Sequence, residues 1–168
     1  MKEKVKNWLA KPKNKRFLAV DGAILLCLAI VIVLRFLLWF PTVKGSSMEP
    51  TLANGNVICI SRVTDAKEGD ICLFWSNALG EYIVKRVIAV GECDIRVTSE
   101  GVFKDGVLVE EDYLRDKKWA IHTDECEYHL NEGEFFVMGD NRLHSKDSRA
   151  FGPMKEEEFI GVMLRRIL

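Results

Sequence analysis

The sequence has 168 residues, of which 48% are hydrophobic and 29% are charged, and its formal net charge is −1 at pH 7. This length allows one domain with an appendage. A net charge so close to zero excludes an overall basic field, so we expect no nucleic-acid partner.

A basic N-terminus is followed by an apolar segment. The first 16 residues hold seven lysines and arginines against one acidic residue. The apolar segment is long enough to span a bilayer, and Asp21 and Arg35 lie near the ends of its uncharged centre. Trp39 follows at the depth of the membrane–water interface. A basic segment next to a spanning helix stays on the cytoplasmic side of the membrane. We therefore predict a basic cytoplasmic segment (1–16), a single transmembrane helix (17–40) and an extracytoplasmic domain (41–168).

Two other interpretations of the apolar segment stay open. A basic start followed by an apolar run is also the layout of a cleavable signal peptide. Here the run is longer than a usual signal-peptide core, and no small-x-small site follows Trp39-Phe40-Pro41. The second alternative is a buried helix of a soluble protein, which a carbonate wash of membranes would distinguish from an anchor.

The remainder of the chain predicts an all-β domain behind the one N-terminal helix. Short runs rich in β-branched and aromatic residues alternate with turn residues, and no useful helical period occurs after Phe40. Asp105-Gly106 predicts a tight hairpin, and residues 110–133 are predicted to be an irregular surface excursion. The predicted strands, mostly antiparallel, are 57–63, 71–75, 82–90, 95–98, 102–109, 134–138 and 159–164.

Cysteine and histidine positions give little support for a disulfide or a metal site. Of the five cysteines, Cys93 and Cys126 are the plausible disulfide partners, and the odd count does not fix the redox compartment. His122, Cys126 and His129 could form a metal-binding module, but three ligands at this spacing match no common zinc site. We therefore expect neither a metal nor another cofactor.

The stretch Ser47-Met48-Glu49-Pro50-Thr51 is a candidate nucleophile site. Pro50 fixes its own φ and pushes Glu49 toward extended backbone, which stiffens the chain beside a serine. A nucleophile must be held still, so this stiffness suits one. The alternative is an ordinary loop that joins an anchor to a domain.

Lys85 is unusual for its position within the longest predicted strand. By the two-residue period it shares a face with Ile83, Val87 and Ala89. If that face is buried, the ammonium loses hydration and its pKa falls, and a neutral lysine can then accept a proton from a serine hydroxyl. The alternative is an exposed edge-strand lysine that guards against aggregation.

A third segment, residues 139–149, is dense in polar side chains although it directly follows an apolar run. It is either a solvated loop or a hydrogen-bonding shell around a site. Asp147 can pair with Arg149, and Arg86 can pair with Asp140 or Asp147. A serine in this segment could hold the lysine amine by a hydrogen bond.

Together these segments resemble the bacterial type I signal peptidases of the single-anchor type, which are membrane-anchored serine proteases with a Ser/Lys dyad. The residues that carry the resemblance are Ser47-Met48-Glu49-Pro50-Thr51, Lys85-Arg86 after a β-branched run, and Gly139-Asp140-Asn141-Arg142-x-x-Ser145-x-Asp147-Ser148-Arg149. Weaker support comes from Gly69-Asp70-Ile71 and residues 101–114.

The resemblance implies a role for each matching residue. Ser47 is the expected nucleophile, and Lys85 is the expected general base that activates it and later protonates the leaving amine. Ser145 matches the serine that positions the lysine. The residues expected to brace the site by ion pairing are Asp140, Arg86, Asp147 and Arg149.

The resemblance also implies how the substrate is held. The Ser47 backbone N–H is the expected oxyanion donor. Gly45 stands where some members carry a second donor serine, so the second donor is unidentified. The family's substrates, exported preproteins, bind as an added β-strand with small residues at −1 and −3. Met48, Ile83 and Val84 are expected to line the pockets for them.

Membrane lipid is an expected partner, and contact with secretion machinery is a further expectation.

Self-cleaving Ser/Lys repressors are disfavoured because no helix-turn-helix pattern occurs, and penicillin-recognising enzymes are disfavoured because Ser-x-x-Lys is absent. Eukaryotic-type signal peptidases carry histidine where Lys85 stands. A non-enzymatic, membrane-tethered binding domain is the alternative from another class, and failure to cleave any Ala-x-Ala preprotein would favour it.

Overall fold

The computed structural model describes residues 12–114 and 125–168, with side chains from Val20 onward. It divides after Leu37 into a helical unit and a β-rich unit.

The helical unit is one α-helix, α1 (Pro12–Leu37). Proline suits the first helical position because its missing N–H would have no partner there. Val20–Leu37 has a mean hydropathy of 2.5, and α1 is the one helix in the described part of the chain that is long and apolar enough to cross a membrane. The helix ends at Leu37 and not at Phe40, because Leu38 and Trp39 pair as a strand.

The β-rich unit contains two antiparallel sheets. A seven-stranded sheet has the order β1-β2-β11-β3-β4-β9-β10, and a four-stranded sheet has the order β7-β6-β5-β8. The prediction of an all-β, mostly antiparallel domain is confirmed. The strands are β1 (Leu38–Trp39), β2 (Ile58–Ser61), β3 (Ile71–Ser76), β4 (Glu81–Val90), β5 (Cys93–Thr98), β6 (Gly101–Lys104), β7 (Val107–Leu108), β8 (Cys126–Leu130), β9 (Glu134–Met138), β10 (Met154–Lys155) and β11 (Phe159–Arg166).

Both faces of the large sheet are buried at its centre. Along β3, Ile71 and Leu73 pack into one hydrophobic cluster while Cys72 and Phe74 pack into another. This explains why β3 is a near-continuous apolar run in the sequence. Along β9, alternate side chains again pack into different clusters. Phe136 packs into the cluster that it shares with Ile95 and Val97 of the small sheet.

The hairpin prediction is confirmed, because Asp105 and Gly106 connect β6 to β7 with φ of 49° and 78°. Both residues therefore have the positive φ that a type I′ turn requires. The predicted excursion is wrong for Cys126–Leu130, which forms β8 beside β5. Its alternating residues put one face on the core and the other in solvent, and the charges on the outer face hid this pattern.

A disulfide between Cys93 and Cys126 is not formed. Cys93 pairs with Leu130 and Cys126 pairs with Val97, so the two cysteines lie four positions apart along the β5–β8 ladder. This separation is about 13 Å, whereas a disulfide needs Cα atoms within roughly 7 Å of each other.

Candidate active site

Ser47 lies in a tight loop between β1 and β2 that is fixed from two sides. Met48 and Leu52 are each 1% exposed and pack into the core, and the Leu52 N–H donates to the Met48 carbonyl at 2.8 Å. Asn141 donates its backbone N–H to the Ser47 carbonyl (3.0 Å) and its side-chain amide to the Ser46 carbonyl (3.1 Å). The loop is held in place while Ser47 itself stays half-buried.

Lys85 meets Ser47 from the centre of β4. Its Nζ lies 2.7 Å from Ser47 Oγ, and the lysine is 4% exposed. Burial lowers the pKa of Lys85 to about 8, against an opposing effect of the Asp147 carboxylate. Of the two alternatives for this lysine, the structure has the buried face and not the exposed edge strand. A serine hydroxyl beside such an amine is suited to proton transfer.

The prediction that Lys85 shares a face of β4 with Ile83 and Val87 is correct, and these two residues pack together in one hydrophobic cluster. It is wrong for Ala89. The register of β4 against β9 shifts between Val87 and Ala89, and Ala89 packs instead with Ile88 in the cluster under the small sheet. A bulge adds one residue and therefore reverses the alternation beyond it.

Arg86, on the other side of β4 from Lys85, pairs with Asp140. Its Nε and Nη2 donate to the two carboxylate oxygens at 2.8 and 2.7 Å, and Asp140 is fully buried. Nη1 donates to the Gly69 carbonyl at 2.7 Å, and the Thr51 hydroxyl donates to the same carboxylate. Of the two partners open to Arg86 in the sequence, the structure selects Asp140.

Asp147 pairs with Arg149 and also begins the one-turn helix α2 (Ser148–Phe151). Arg149 Nε and Nη2 donate to the two carboxylate oxygens at 2.8 and 2.9 Å, and the Gly139 N–H donates to the second at 3.0 Å. Burial by itself would raise the pKa of Asp147. The bonds and charge of Arg149, with the Gly139 N–H, outweigh burial and hold that pKa below its usual range.

Ser145 lies against Gly139, and this contact requires a glycine. A Cβ on Gly139 would come within 2.3 Å of Ser145 Oγ and 2.4 Å of the Ser47 carbonyl oxygen. The buried Ser145 hydroxyl is near enough to Asp147 to help lower the pKa of that carboxyl, but it makes no well-formed hydrogen bond within the described residues. Lys85 Nζ bonds to Ser47 and not to Ser145.

The three residues expected to contact substrate lie on both faces of the sheet. Met48 and Val84 share one cluster, and Ile83 packs into the other.

The backbone of β4 beside these residues has an edge to which a substrate could bind. β4 pairs with β3 along residues 81–86 but with β9 only from Arg86 onward, so among the described strands residues 82–85 have one unpaired side. An unpaired edge can accept another strand.

Sequence reasoning gave no role to several residues that contact this site. Thr51 and Asn141 lie inside the motifs that carry the resemblance, and this position is the sequence signal that marks them. Arg142, which is buried, forms a hydrogen-bonded group beside Gly139 with the half-buried Glu111 and Tyr113. For Glu111 and Tyr113 no local sequence signal marks a role, because their partners lie about 30 residues away.

The three-ligand spacing considered for a metal is only partly described. His122 lies outside the described residues. His129 Nδ1 is 2.7 Å from Asp94 Oδ1 on the exposed surface of the small sheet. The described residues contain no group of three potential ligands placed to hold a metal ion.

The sequence matches a known family over most of its length. The profile of the family described as "Signal peptidase, peptidase S26" matches residues 16–167. Signal peptidase I U of Bacillus subtilis (strain 168) is 31% identical over 163 residues, covering 90% of this chain and 87% of the relative. Signal peptidase IB of Staphylococcus aureus (strain Mu50) is 29% identical over 151 residues, covering 79% and 78%.

The fold has a solved counterpart. A crystal structure of a signal peptidase I from Enterococcus faecalis V583 superposes with a TM-score of 0.52 at 29% identity, covering 60% of this chain and 97% of that one. The resemblance drawn from the three motifs is confirmed by the family match, the relatives and this structure.

Proposed function

The chain belongs to the signal peptidase family, peptidase S26, and we propose that it removes signal peptides from exported preproteins with a Ser47/Lys85 dyad. Membership makes it a serine peptidase, a hydrolase. One observation carries the assignment of the dyad: an amine that is 4% exposed lies 2.7 Å from a serine hydroxyl.

The proposed reaction is acyl transfer through Ser47. Lys85 accepts the hydroxyl proton as Oγ bonds to the scissile carbonyl carbon, and the C–N bond then breaks while Lys85 returns the proton to the leaving amine. An acyl-enzyme ester remains. Lys85 next accepts a proton from water, whose oxygen attacks the ester, and the Ser47 oxygen leaves and takes that proton. With a pKa of about 8, part of the lysine population is already neutral at pH 7.

The oxyanion that forms in this reaction needs a hydrogen-bond donor. The Ser47 N–H makes no hydrogen bond to another described residue, which supports its use here. The Gly45 N–H is occupied by Asn54 Oδ1 at 3.0 Å, so it does not serve as the second donor in this arrangement.

We propose that the preprotein binds along the unpaired side of residues 82–85 as an added strand. Small residues at −1 and −3 would then enter pockets lined by Met48, Ile83 and Val84. Ser145, Asp140, Asp147 and Arg149 remain proposed supporting residues because they belong to the loop and short helix that follow β9, and Arg86 remains one because it binds Asp140 in that loop.

The proposed topology follows from the N-terminal charge. The curated relatives are signal peptidases I, and one apolar helix fits a single membrane pass. We propose that residues 1–16 are cytoplasmic, that the rest of α1 up to Leu37 crosses the bilayer, and that the β-rich unit from Leu38 onward forms the extracytoplasmic protease domain. Membrane lipid and the secretion machinery are proposed partners of this arrangement.

Cleavage of a preprotein with an Ala-x-Ala site by the full chain in detergent tests the dyad. Ser47→Ala and Lys85→Ala should each lower kcat at least about 1,000-fold without unfolding the protein. Matched controls are Ser46→Ala and Lys146→Ala, whose side chains are exposed beside the same loops. Normal processing by Ser47→Ala would remove the nucleophile assignment, and normal processing by Lys85→Ala would remove the base.

A further inference from the structure

A short turn after the β6–β7 hairpin packs beside the candidate site. In this turn, Glu111–Leu114, the Leu114 N–H donates to the Glu111 carbonyl at 2.8 Å and Leu114 is buried. Tyr113 packs on the cluster that includes Ile88 and Met138. The turn is therefore anchored to the β-rich unit, and its side chains have fixed positions.

Tyr113 lies between two arginines. Its ring centroid is 3.9 Å from Cζ of Arg86 and 6.0 Å from Cζ of Arg142, distances at which a guanidinium is attracted to an aromatic face. The Tyr113 hydroxyl donates to Glu111 Oε1 at 2.7 Å and accepts from Arg142 Nη2 at 3.2 Å. Burial raises the pKa of Tyr113, which keeps the hydroxyl protonated and able to donate.

Glu111 supplies the charge that this arrangement needs. Arg142 is 1% exposed and donates Nη1 to Glu111 Oε2 at 3.0 Å, while its Nη2 also contacts the same carboxylate. Asp140 is already bound at both oxygens by Arg86. A buried guanidinium without a counter-charge is strongly unfavourable, so Glu111 allows Arg142 to be buried next to the Arg86 pair.

The two arginines hold opposite ends of the dipeptide Gly139-Asp140. Arg86 binds the Asp140 carboxylate, and Arg142 Nε donates to the Gly139 carbonyl at 3.0 Å. The Gly139 backbone is the surface against which Ser145 Oγ and the Ser47 carbonyl pack. Movement of either guanidinium would therefore shift the groups around the proposed nucleophile.

From these contacts we infer that Glu111 and Tyr113 are positioning residues for the Ser47/Lys85 dyad, acting through Arg86 and Arg142 on Gly139-Asp140. This inference rests on the proposed function. Neither residue touches the reacting atoms. Their effect is to hold the loop after β9 against the nucleophile loop, so the turn Glu111–Leu114 positions the dyad from outside it.

The test measures kcat and KM of Tyr113→Phe and Glu111→Gln on an Ala-x-Ala preprotein, using the full chain in detergent. Tyr113→Phe removes one oxygen and should lower kcat about tenfold with little change in KM, and Glu111→Gln should lower it further. Tyr128→Phe is the matched control, because it removes the same atom from the small sheet beside Phe136, and it should keep wild-type kinetics.

A pH profile separates positioning from mere stability. The charged groups whose electrostatic field acts on Lys85 are Asp147, Arg149, Glu81 and Asp140, and Cys72 lies opposite it on β3. Both variants leave all of these groups in place. Burial raises the pKa of Cys72 to about 12, so its thiol stays neutral over the profile. If the loop loosens and water reaches the amine, the acid limb of kcat/KM should move to higher pH.

Two outcomes would overturn the inference while Ser47→Ala stays inactive. One is wild-type kcat and an unmoved acid limb in both variants. The other is a lower melting temperature with unchanged kinetics at temperatures where the protein is folded, which would make the cluster purely structural. Activity in Ser47→Ala would instead overturn the proposed function, so the two failures are distinguishable.

Discussion

Lys85 places an amine on a face of β4 that otherwise buries Ile83 and Val87. The pKa of this amine falls from 10.5 to about 8 because burial disfavours the charged form more strongly than the nearby carboxylates favour it. At about 1.4 kcal/mol per pKa unit, the protonated lysine costs the fold roughly 3 kcal/mol. The same burial creates the neutral amine that the proposed base requires, so here chemistry opposes stability.

Replacing Lys85 by methionine should therefore stabilise the protein. The folded pKa lies below the unfolded one, so the unfolded chain binds more protons and wild-type stability rises between about pH 8 and 10.5. Lys85→Met should lack this rise and should be more stable than wild type at pH 7 by roughly 3 kcal/mol. Denaturant unfolding at pH 7 and pH 10 measures both, with exposed Lys146→Met as the control. Parallel pH dependences in wild type and Lys85→Met would contradict the burial argument.

Single residues were predictable where a local pattern marked them. Lys85 interrupts an apolar alternation, and Ser47 precedes a proline-stiffened turn. Glu111 and Tyr113 could not be found in this way, because a glutamate and a tyrosine in a charged stretch are ordinary. Their contacts with Arg142 depend on how the turn after the hairpin packs, which is set by tertiary structure.

At the scale of elements, the loop after β9 is ordered by charge. Asp147 accepts from the Arg149 backbone and side chain and from the Gly139 N–H, so one carboxylate fixes both the start of α2 and the end of β9. Asp147 and Arg149 are almost completely buried. A loop of this kind depends on the charge of its acid as well as on its shape.

Asp147→Asn tests that dependence with a substitution of nearly equal size. The amide keeps one acceptor but leaves the buried guanidinium of Arg149 without a counter-charge, which should cost at least about 3 kcal/mol of unfolding free energy. Preprotein cleavage should fall with it. Asp94→Asn changes an exposed aspartate paired with His129 and should leave unfolding unchanged. Equal stability of Asp147→Asn and wild type would contradict the charge-ordered loop.

Strands were predictable where they were long or bounded by clear turns. β3, β4 and β9 lie within one residue of their predicted limits. β8 was missed because charged residues occupy its outer face, and β1 and β10, with two residues each, are too short to show a period. The bulge after Val87 also has no signal in the sequence, because it reflects how β4 must bend between its two neighbours.

At the scale of the whole molecule, the chain combines one apolar helix with a β-rich unit. Hydropathy predicts the first and strand periodicity the second, and neither depends on the detailed geometry of the site. The order of strands in the sheets could not be predicted from the sequence, because β11, the last strand of the chain, lies between β2 and β3.

Membrane anchoring is tested on the full chain by extraction. Because Val20–Leu37 has the length and hydropathy of a spanning helix, the protein should stay with the membrane pellet after a wash in alkaline carbonate. Detergent should release it. Its appearance in the carbonate supernatant would contradict the anchor and favour a soluble protein.

The acid limb of the pH–rate profile tests the central claim, that a buried neutral Lys85 activates Ser47. Because kcat/KM reports the free enzyme, cleavage of an Ala-x-Ala preprotein should be half-maximal at about pH 8 and should fall about tenfold per pH unit below that. His144, exposed in the same loop, is the competing titratable group. A limb near pH 8 that is unchanged in His144→Gln is the predicted result. A limb that disappears in His144→Gln would contradict the account.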